Sequence, residues 1–595
     1  MKKILKKKNS VFFVMLLLFL TKVLGFFKLR TIAQLFGVSH ELDIFWAAFT
    51  IPDMLFMVLV AGSINAAVIP IFSDIFRKDG KEALNIFFNY LTLIIAFVCT
   101  LIAVILFIFT PQLTNLLIEA ESLQRILNFT YRMEPDDFNL FVNLTRLMMI
   151  SPVLLGISSL VTAYLQTRKQ FFVTSLAPLF YNLSMIVGSL ILVSVFGMGV
   201  EGIAISAVIG SLIHFLIQLP KFRTYFDTKF KMSIKTLIEA LKHKKTTLAL
   251  KLAIPRTLGI FGEEINTLIN TVISFSLAAG ALSAYKFALS LHFFPINIIG
   301  GSIAQVALPN LTEQSESKKE FSKTFNQSIQ TALFLILPIV GIIAVLRLPL
   351  VRLAYGTGAF DWRATILTSW TLVLLSFSII GQTVVQILLR AFYALKETWL
   401  PLIAIVIGIL VNIVLAFLLT NFFSHYYDWR PILEQMFLQI VETNGQGFLG
   451  VLASFVGDTI RWSTSRGDSD LAVGGLSLSL SITHIVQTVF LTLLLNKKRK
   501  IATWKKTIFP AMKKLFNTAL MCIGMYFVFK LFDFQLDTTR TISIIILTII
   551  TAGYGLLSYW LGSKVFRVKE ISIVDNFLHD IKSNLSKRKK TDEIV

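Results

Sequence analysis

One short phrase occurs twice in this chain, each time inside an apolar stretch, with its two copies 239 positions apart. Gly62-Ser63-Ile64-Asn65-Ala66-Ala67-Val68-Ile69-Pro70 is matched by Gly301-Ser302-Ile303-Ala304-Gln305-Val306-Ala307-Leu308-Pro309. A second pair lies upstream, Lys22-Val23-Leu24-Gly25 and Arg256-Thr257-Leu258-Gly259. Such a chain must fold as two halves on one plan, each setting a cation in a hydrophobic segment. Membrane carriers are often built this way, because substrate sites form where two repeats face each other.

Of the 595 residues, 55% are hydrophobic and 15% charged, with a mean hydropathy of +0.74. Soluble domains carry about 25% charged residues, so lipid must solvate most of this chain. The net charge of +22 is spread over short tracts between apolar spans. Tracts so placed read as topology signals and contacts to anionic lipid head groups. They leave no free basic surface for nucleic acid. Both cysteines, Cys99 and Cys522, lie in apolar stretches, which offers neither a disulfide framework nor a metal cluster. Lysines between Lys2 and Lys8 followed by Val11–Leu20 resemble the start of a signal peptide. The apolar pattern continues past Gly25 without a small-residue cleavage site, which predicts a retained first helix.

A helix needs about 20 apolar residues to cross a bilayer. That ruler predicts fourteen spans, near 11–36, 43–72, 87–110, 145–167, 171–196, 200–220, 248–278, 282–309, 327–347, 364–392, 399–423, 471–496, 508–533 and 540–563. With a cytoplasmic N-terminus, every second connection should be basic. Arg77, Lys78 and Lys81 follow span two, and Arg168 and Lys169 follow span four. Residues 221–251, after span six, hold nine Lys/Arg against Asp227 and Glu239. Lys318 and Lys319, Arg390 and Lys396, Lys497 to Lys500, and the tail Lys587 to Lys590 continue the alternation. The opposite connections lean acidic, as with Glu119, Glu121, Glu134, Asp136 and Asp137. Both termini are therefore expected on the cytoplasmic side.

The longest basic loop falls where the repeat restarts. The expected organisation is an N-terminal lobe over 1–235 and a C-terminal lobe over 236–423 completed by 471–506. Residues 507–565 form two extra spans and 566–595 a basic tail. The intervening segment 424–470 is net negative and mixes Trp429, Phe437, Leu438 and Ile440 with Glu434 and Glu442. It fits an amphipathic helix on the outer surface or a separate folding unit outside the membrane. The fold class is an all-α polytopic membrane protein: two pseudo-symmetric six-helix lobes plus two C-terminal helices.

A Lys or Arg at a helix centre costs about 2.5–3.5 kcal/mol on insertion scales, so such residues should face a wet, protein-lined cavity. Span one carries Lys22, Lys28 and Arg30; span seven Arg256, Glu263 and Glu264; span eight Lys286 and His292. Asp43 and Asp53 fall at and within the start of span two, and Gln382 and Gln386 in span ten. Lys22 and Lys28 lie about 240° apart on an unbroken helix; a bend at Gly25 would aim both at one anion. Snorkelling to lipid phosphates is the alternative, especially for Arg30. Arg256, after Pro255, fits the cavity or the cytoplasmic interface. Glu263 and Glu264 can pair with the cations or carry coupling protons. Asp43 either bonds helix ends near an outer gate or meets substrate, and His292 reads as a packing residue. No phosphate-binding glycine loop, zinc spacing or Ser–His–Asp arrangement stands out, so the expectation is a transporter rather than an enzyme, with no cofactor.

Several segments in fixed order resemble the MurJ/MviN lipid II flippases of the MOP exporter superfamily. They are Lys22 to Phe26, Phe36-Gly37, Asp43, Ile51-Pro52, the Gly62 to Pro70 phrase and Pro255 to Gly259, then Gly300 to Pro309, Tyr355 to Phe360 and Arg390 to Thr398. The likeness covers about residues 10–420. It implies alternating access, outward movement of a lipid-linked disaccharide-pentapeptide, and a groove for its polyprenyl tail in spans thirteen and fourteen. It also implies that Lys22 and Lys28 stand where the family keeps cavity arginines, preserving charge but losing the bidentate fork. Asp43 matches a family acid and Ser283 a cavity serine. Phe56 and Ser290 stand where the family often has arginines, and Lys286 lies one turn before the second of them.

These readings predict a flippase of the bacterial cytoplasmic membrane. Lys22, Lys28, Arg256 and Lys286 would hold the diphosphate, with Asp43, Asp53, Glu264 and Ser283 in gating or coupling. A unit charge moved across 100 mV is worth about 2.3 kcal/mol, so membrane potential or a returning counter-ion would supply the drive. Expected partners are the lipid-linked precursor, anionic lipids and cell-wall synthases. Rival readings are a flippase for another lipid-linked oligosaccharide, a drug exporter, a non-transporting scaffold of cell-wall synthesis, or a lipid-modifying enzyme.

Overall fold

The computed structural model describes residues 2–61, 64–119, 133–226, 233–442, 448–501 and 503–576. The described residues contain helices and no strands. Twelve helical spans are long and apolar enough to cross a membrane. Two further helices, α1 (Lys2–Phe36) and α10 (Lys244–Phe275), occupy the places of predicted spans one and seven. Contacts divide the chain into two compact units: Met1–Ala284 with Tyr355–Ala364 and Phe417–Leu476, and Tyr285–Ala354 with Thr365–Ala416 and Ser477–Val595.

In the first unit, α2 (His40–Phe56) begins at Ser39, whose hydroxyl accepts the Leu42 N–H at 3.3 Å. Glu41 and Asp43 in its first turn complement the helix dipole. Then follow α3 (Ile64–Lys78), α4 (Gly80–Thr114), α5 (Pro135–Met148), α6 (Ile150–Thr167), α7 (Phe171–Ser189) and α8 (Val200–Leu216). A short helix, α9 (Ile234–Lys242), leads into α10. Phe72, Phe87, Phe88, Tyr164 and Phe222 form the aromatic centre of the core. The Tyr164 hydroxyl, buried with them, donates to Asn85 Oδ1 at 2.7 Å, which satisfies it in a dry setting. Phe97, Phe107, Ile108 and Phe109 point outward from α4, as a lipid-facing surface requires.

The second unit contains α11 (Ala281–Pro295) beyond Ala284, α12 (Gly301–Glu313), α13 (Lys318–Val345), α14 (Arg347–Tyr355) up to Ala354, and most of α15 (Trp362–Ala394) and α16 (Trp399–Ser424). Helices α17 (Tyr426–Glu442) and α18 (Phe448–Thr464) belong to the first unit. The insert thus forms two helices, where the sequence left open an amphipathic surface helix or a separate folding unit. The chain then enters α19 (Val473–Arg499), α20 (Phe509–Gln535) and α21 (Thr541–Val565). Buried Lys514 ties the last pair to α13: its Nζ donates to Gln330 Oε1 at 2.5 Å and lies 3.0 Å from Glu570 Oε2.

The repeat shows in the backbone as well as in the letters. A π-helical turn over Met57–Ala61 closes α2, and another over Ile296–Gly300 closes α11. Each ends on the residue before its copy of the repeated phrase, so the widened turn recurs at one register in both halves. Gly62 and Ser63 themselves lie outside the described residues.

Candidate functional site

α1 runs unbroken through Gly25, so Lys22 and Lys28 stay on different faces. Beside Gly25 the Asn182 amide donates to the Thr21 carbonyl at 3.2 Å, and a Cβ on Gly25 would meet Asn182 Nδ2 at an ordinary contact distance of 3.6 Å. Lys22 is exposed and Lys28 half-buried. The Lys28 ammonium lies 5.7 Å from the centre of the Tyr181 ring and interacts electrostatically with Asp53. Asp53 acts on Tyr181 too. Helices α1, α2 and α7 therefore gather a half-buried ammonium, an exposed carboxylate and a half-buried phenol among apolar helices. A cation over a ring and near one carboxylate is stabilised without being saturated. That leaves donor capacity for an anionic ligand.

Asp43 is held quite differently. It is 2% exposed, and its Oδ1 accepts the Ser283 N–H at 2.7 Å and the Ser283 hydroxyl at 2.6 Å. Oδ2 accepts the Gly280 N–H at 2.7 Å. The carboxylate thus caps the start of α11, where free N–H groups and the helix dipole favour negative charge. The structure brings Asp43 and Ser283 together as one element, and both serve helix-end bonding in this geometry.

Around that cap the connections opposite the basic loops interlock. Gly37 has φ +59° and Gly358 φ +61°. A Cβ on Gly37 would fall 2.3 Å from the Ala359 carbonyl oxygen, and one on Gly358 2.4 Å from that of Gln34. The Ala359 N–H donates to the Gln34 carbonyl at 2.9 Å. Two sequence segments far apart, Phe36-Gly37 and Tyr355 to Phe360, are therefore one backbone junction that only glycine permits. Glu41 Oε1 accepts the Val200 N–H at 2.9 Å, and His40 Nε2 lies 2.8 Å from Asp137 Oδ2. Arg466, near the end of the insert, donates from Nη2 to the Ser276 carbonyl at 2.5 Å. Burial pulls its guanidinium down to about 10, still charged at neutral pH.

Of the other predicted residues, Glu264 on α10 and Lys286 on α11 are half-buried. Arg256 lies on α10, but its side chain is outside the described residues. Phe56 packs against the aromatic core, and the Ser290 hydroxyl donates to the Phe287 carbonyl at 2.9 Å. Among the described residues no cluster of three His, Cys, Asp or Glu side chains offers a metal site. Sequence reasoning missed Tyr181, Asn182 and Arg466; a Tyr-Asn pair inside an apolar span was the available signal for the first two.

A family model described as lipid II flippase MurJ matches residues 32–427. The chain belongs to this MurJ family. A relative in Buchnera aphidicola subsp. Acyrthosiphon pisum, named a probable lipid II flippase MurJ, is 29% identical over 419 residues, covering 69% of this chain and 78% of its own length. A solved lipid II flippase MurJ in an inward closed conformation superposes with a TM-score of 0.67 at 21% identity, covering 93% of this chain and 98% of that one. An inward-facing multidrug-resistance MATE transporter of the MOP superfamily shares the fold with a TM-score of 0.57 at 12% identity, over 81% and 96% of the two chains. This MurJ family member is a multi-pass membrane transporter rather than an enzyme. The family match begins beyond Lys22 and Lys28, so their roles rest on the geometry of α1.

Proposed function

We propose that this chain is an alternating-access flippase. It moves lipid II, the undecaprenyl-diphosphate-linked peptidoglycan precursor, from the inner to the outer leaflet of the bacterial cytoplasmic membrane. The family match over residues 32–427 carries this reading. The Lys28 cluster supports it, because an ammonium kept inside an apolar bundle is costly unless used. Lys22, Lys28, Arg256 and Lys286 attract the diphosphate, and the phosphate exchanges with Asp53 as the partner of Lys28. Asp43 with Ser283 holds the outer helix ends, Glu264 takes part in coupling, and the last two spans hold the lipid tail. An inside-negative potential favours outward passage of the anionic head group. Both termini lie in the cytoplasm, where basic tracts meet anionic lipids; cell-wall synthases are the protein partners this reading favours.

Complementation tests it. In a flippase-depleted strain, the wild-type chain restores growth and Lys22→Ala does not, at equal protein level. Full rescue by Lys22→Ala removes that residue from the site. A second reading, a flippase for another lipid-linked oligosaccharide, is favoured by Phe56 and Ser290, which leave two family cation positions uncharged. Vesicles loaded with either lipid distinguish the two.

A further inference from the structure

The two units each contain a serine–histidine pair on corresponding spans, with the serine buried and the histidine half-buried. In the first, Ser158 of α6 lies 2.7 Å from His214 Nδ1 of α8. In the second, Ser378 of α15 lies 2.7 Å from His484 Nδ1 of α19. Counted through the repeat, α6 and α8 are spans four and six, and α15 and α19 are spans ten and twelve. The residues one turn on are exchanged between the halves: Thr162 and Gln218 in the first, Gln382 and Thr488 in the second.

The pairs end differently. Gln218 closes the first: its Nε2 donates to Ser158 Oγ at 2.9 Å and its Oε1 accepts the Thr162 hydroxyl at 2.9 Å. An amide neither takes up nor gives up a proton near neutral pH, so that pair is sealed. In the second unit, His292 Nε2 of α11 lies 3.1 Å from Ser378 Oγ, which makes a three-membered chain across three helices. His292 is fully buried, and its Nδ1 has no hydrogen-bond partner. Gln382 Oε1 and Thr383 Oγ1, both on α15, are likewise buried without one. In sequence, His292 falls 239 positions after Asp53, so it occupies the repeat position of the residue that interacts with Lys28 in the first half.

One hydroxyl carries one proton, so with both rings neutral Ser378 donates to one and accepts from the other. The chain then has a direction. A proton arriving at a bare His292 Nδ1 passes along it by reversal of each O–H and N–H, and another leaves the far side of His484, with no heavy atom displaced. A buried unpartnered nitrogen is an exception that calls for a use, and histidine chains inside membranes mark proton paths. His484 is the titratable group facing His292; α15 presents Ser378, and α11 itself stacks Phe293 edge-on at 5.0 Å.

We propose that the His292–Ser378–His484 chain is a proton-binding site of the second unit, and that the proton is the counter-ion resetting the carrier. The second clause rests on the flippase reading above. The full chain, reconstituted in vesicles with fluorescent lipid II at zero membrane potential, should change its flipping rate about fivefold or more when a pH gradient is imposed. His292→Gln should abolish that response, as should Ser378→Ala, which breaks the chain but keeps both rings. His214→Gln should retain it. A wild-type response in His292→Gln and Ser378→Ala overturns the proposal. If the wild-type chain moves no lipid II, the flippase reading fails. The proton site is then judged by histidine nitrogen NMR of the same protein: a ring signal that titrates with pH and vanishes in His292→Gln sustains it, and no such signal overturns it.

Discussion

Asp43 and Asp53 sit on one helix, yet the protein treats them in opposite ways. Asp43 is sealed from water and accepts three donors at 2.6–2.7 Å. Asp53 is exposed and interacts electrostatically with Lys28 and Tyr181. A carboxylate saturated by short bonds has nothing left to exchange, so Asp43 holds helix ends together. An exposed carboxylate beside an ammonium can yield it to an arriving anion, so Asp53 suits a place where an anion comes and goes. Intramembrane charge by itself does not mark a binding site; burial against exposure separates the two roles.

The sharpest way to break this contrast is Asp43→Ala. It leaves the Gly280 and Ser283 N–H groups buried without an acceptor, at about 1–3 kcal/mol each. Thermal unfolding in detergent should show a loss of about 3 kcal/mol or more, and a change below about 1 kcal/mol would move Asp43 out of the structural class. Asp53→Asn should cost little stability and instead strengthen lipid II binding about two- to fivefold, as expected for loss of an exposed competing charge. A titration showing equal or weaker binding would break the exchange argument. The smallest effect concerns His243, at the junction of α9 and α10. Burial, and then the Lys245 charge, hold its imidazole below the ordinary value. The folded chain therefore binds that proton less readily than the unfolded chain. Stability is fullest above the unfolded value of about 6.5 and declines as pH falls through it. Corrected for the intrinsic rate, the exchange protection of the Thr246 and Thr247 amides should fall slightly between about pH 7.5 and about pH 5.5, and His243→Phe should remove that dependence.

Much of the architecture was legible in the letters because hydropathy and loop charge act locally along the chain. The two π-helical turns, one before each copy of the repeated phrase, were not legible in the letters. Side-chain partnerships were less visible. Asp43 finds Ser283 across 240 positions and Asn182 finds Thr21 across 161, distances at which no periodicity speaks. Gly25 illustrates the limit: a glycine among apolar residues suggested a bend, whereas α1 runs through it unbroken. The glycines at 37 and 358 were read only as parts of separate segments, and it is their shared clash geometry that shows them to be one joint.

The central claim is that Lys28 is kept unsaturated for an anionic cargo. Leaflet accessibility of labelled lipid II in vesicles containing Lys28→Met tests it most directly. The account predicts a fall in flipping of at least about tenfold, equivalent to about 1.4 kcal/mol, with thermal unfolding unchanged. Flipping at the wild-type rate by a folded Lys28→Met protein would contradict it.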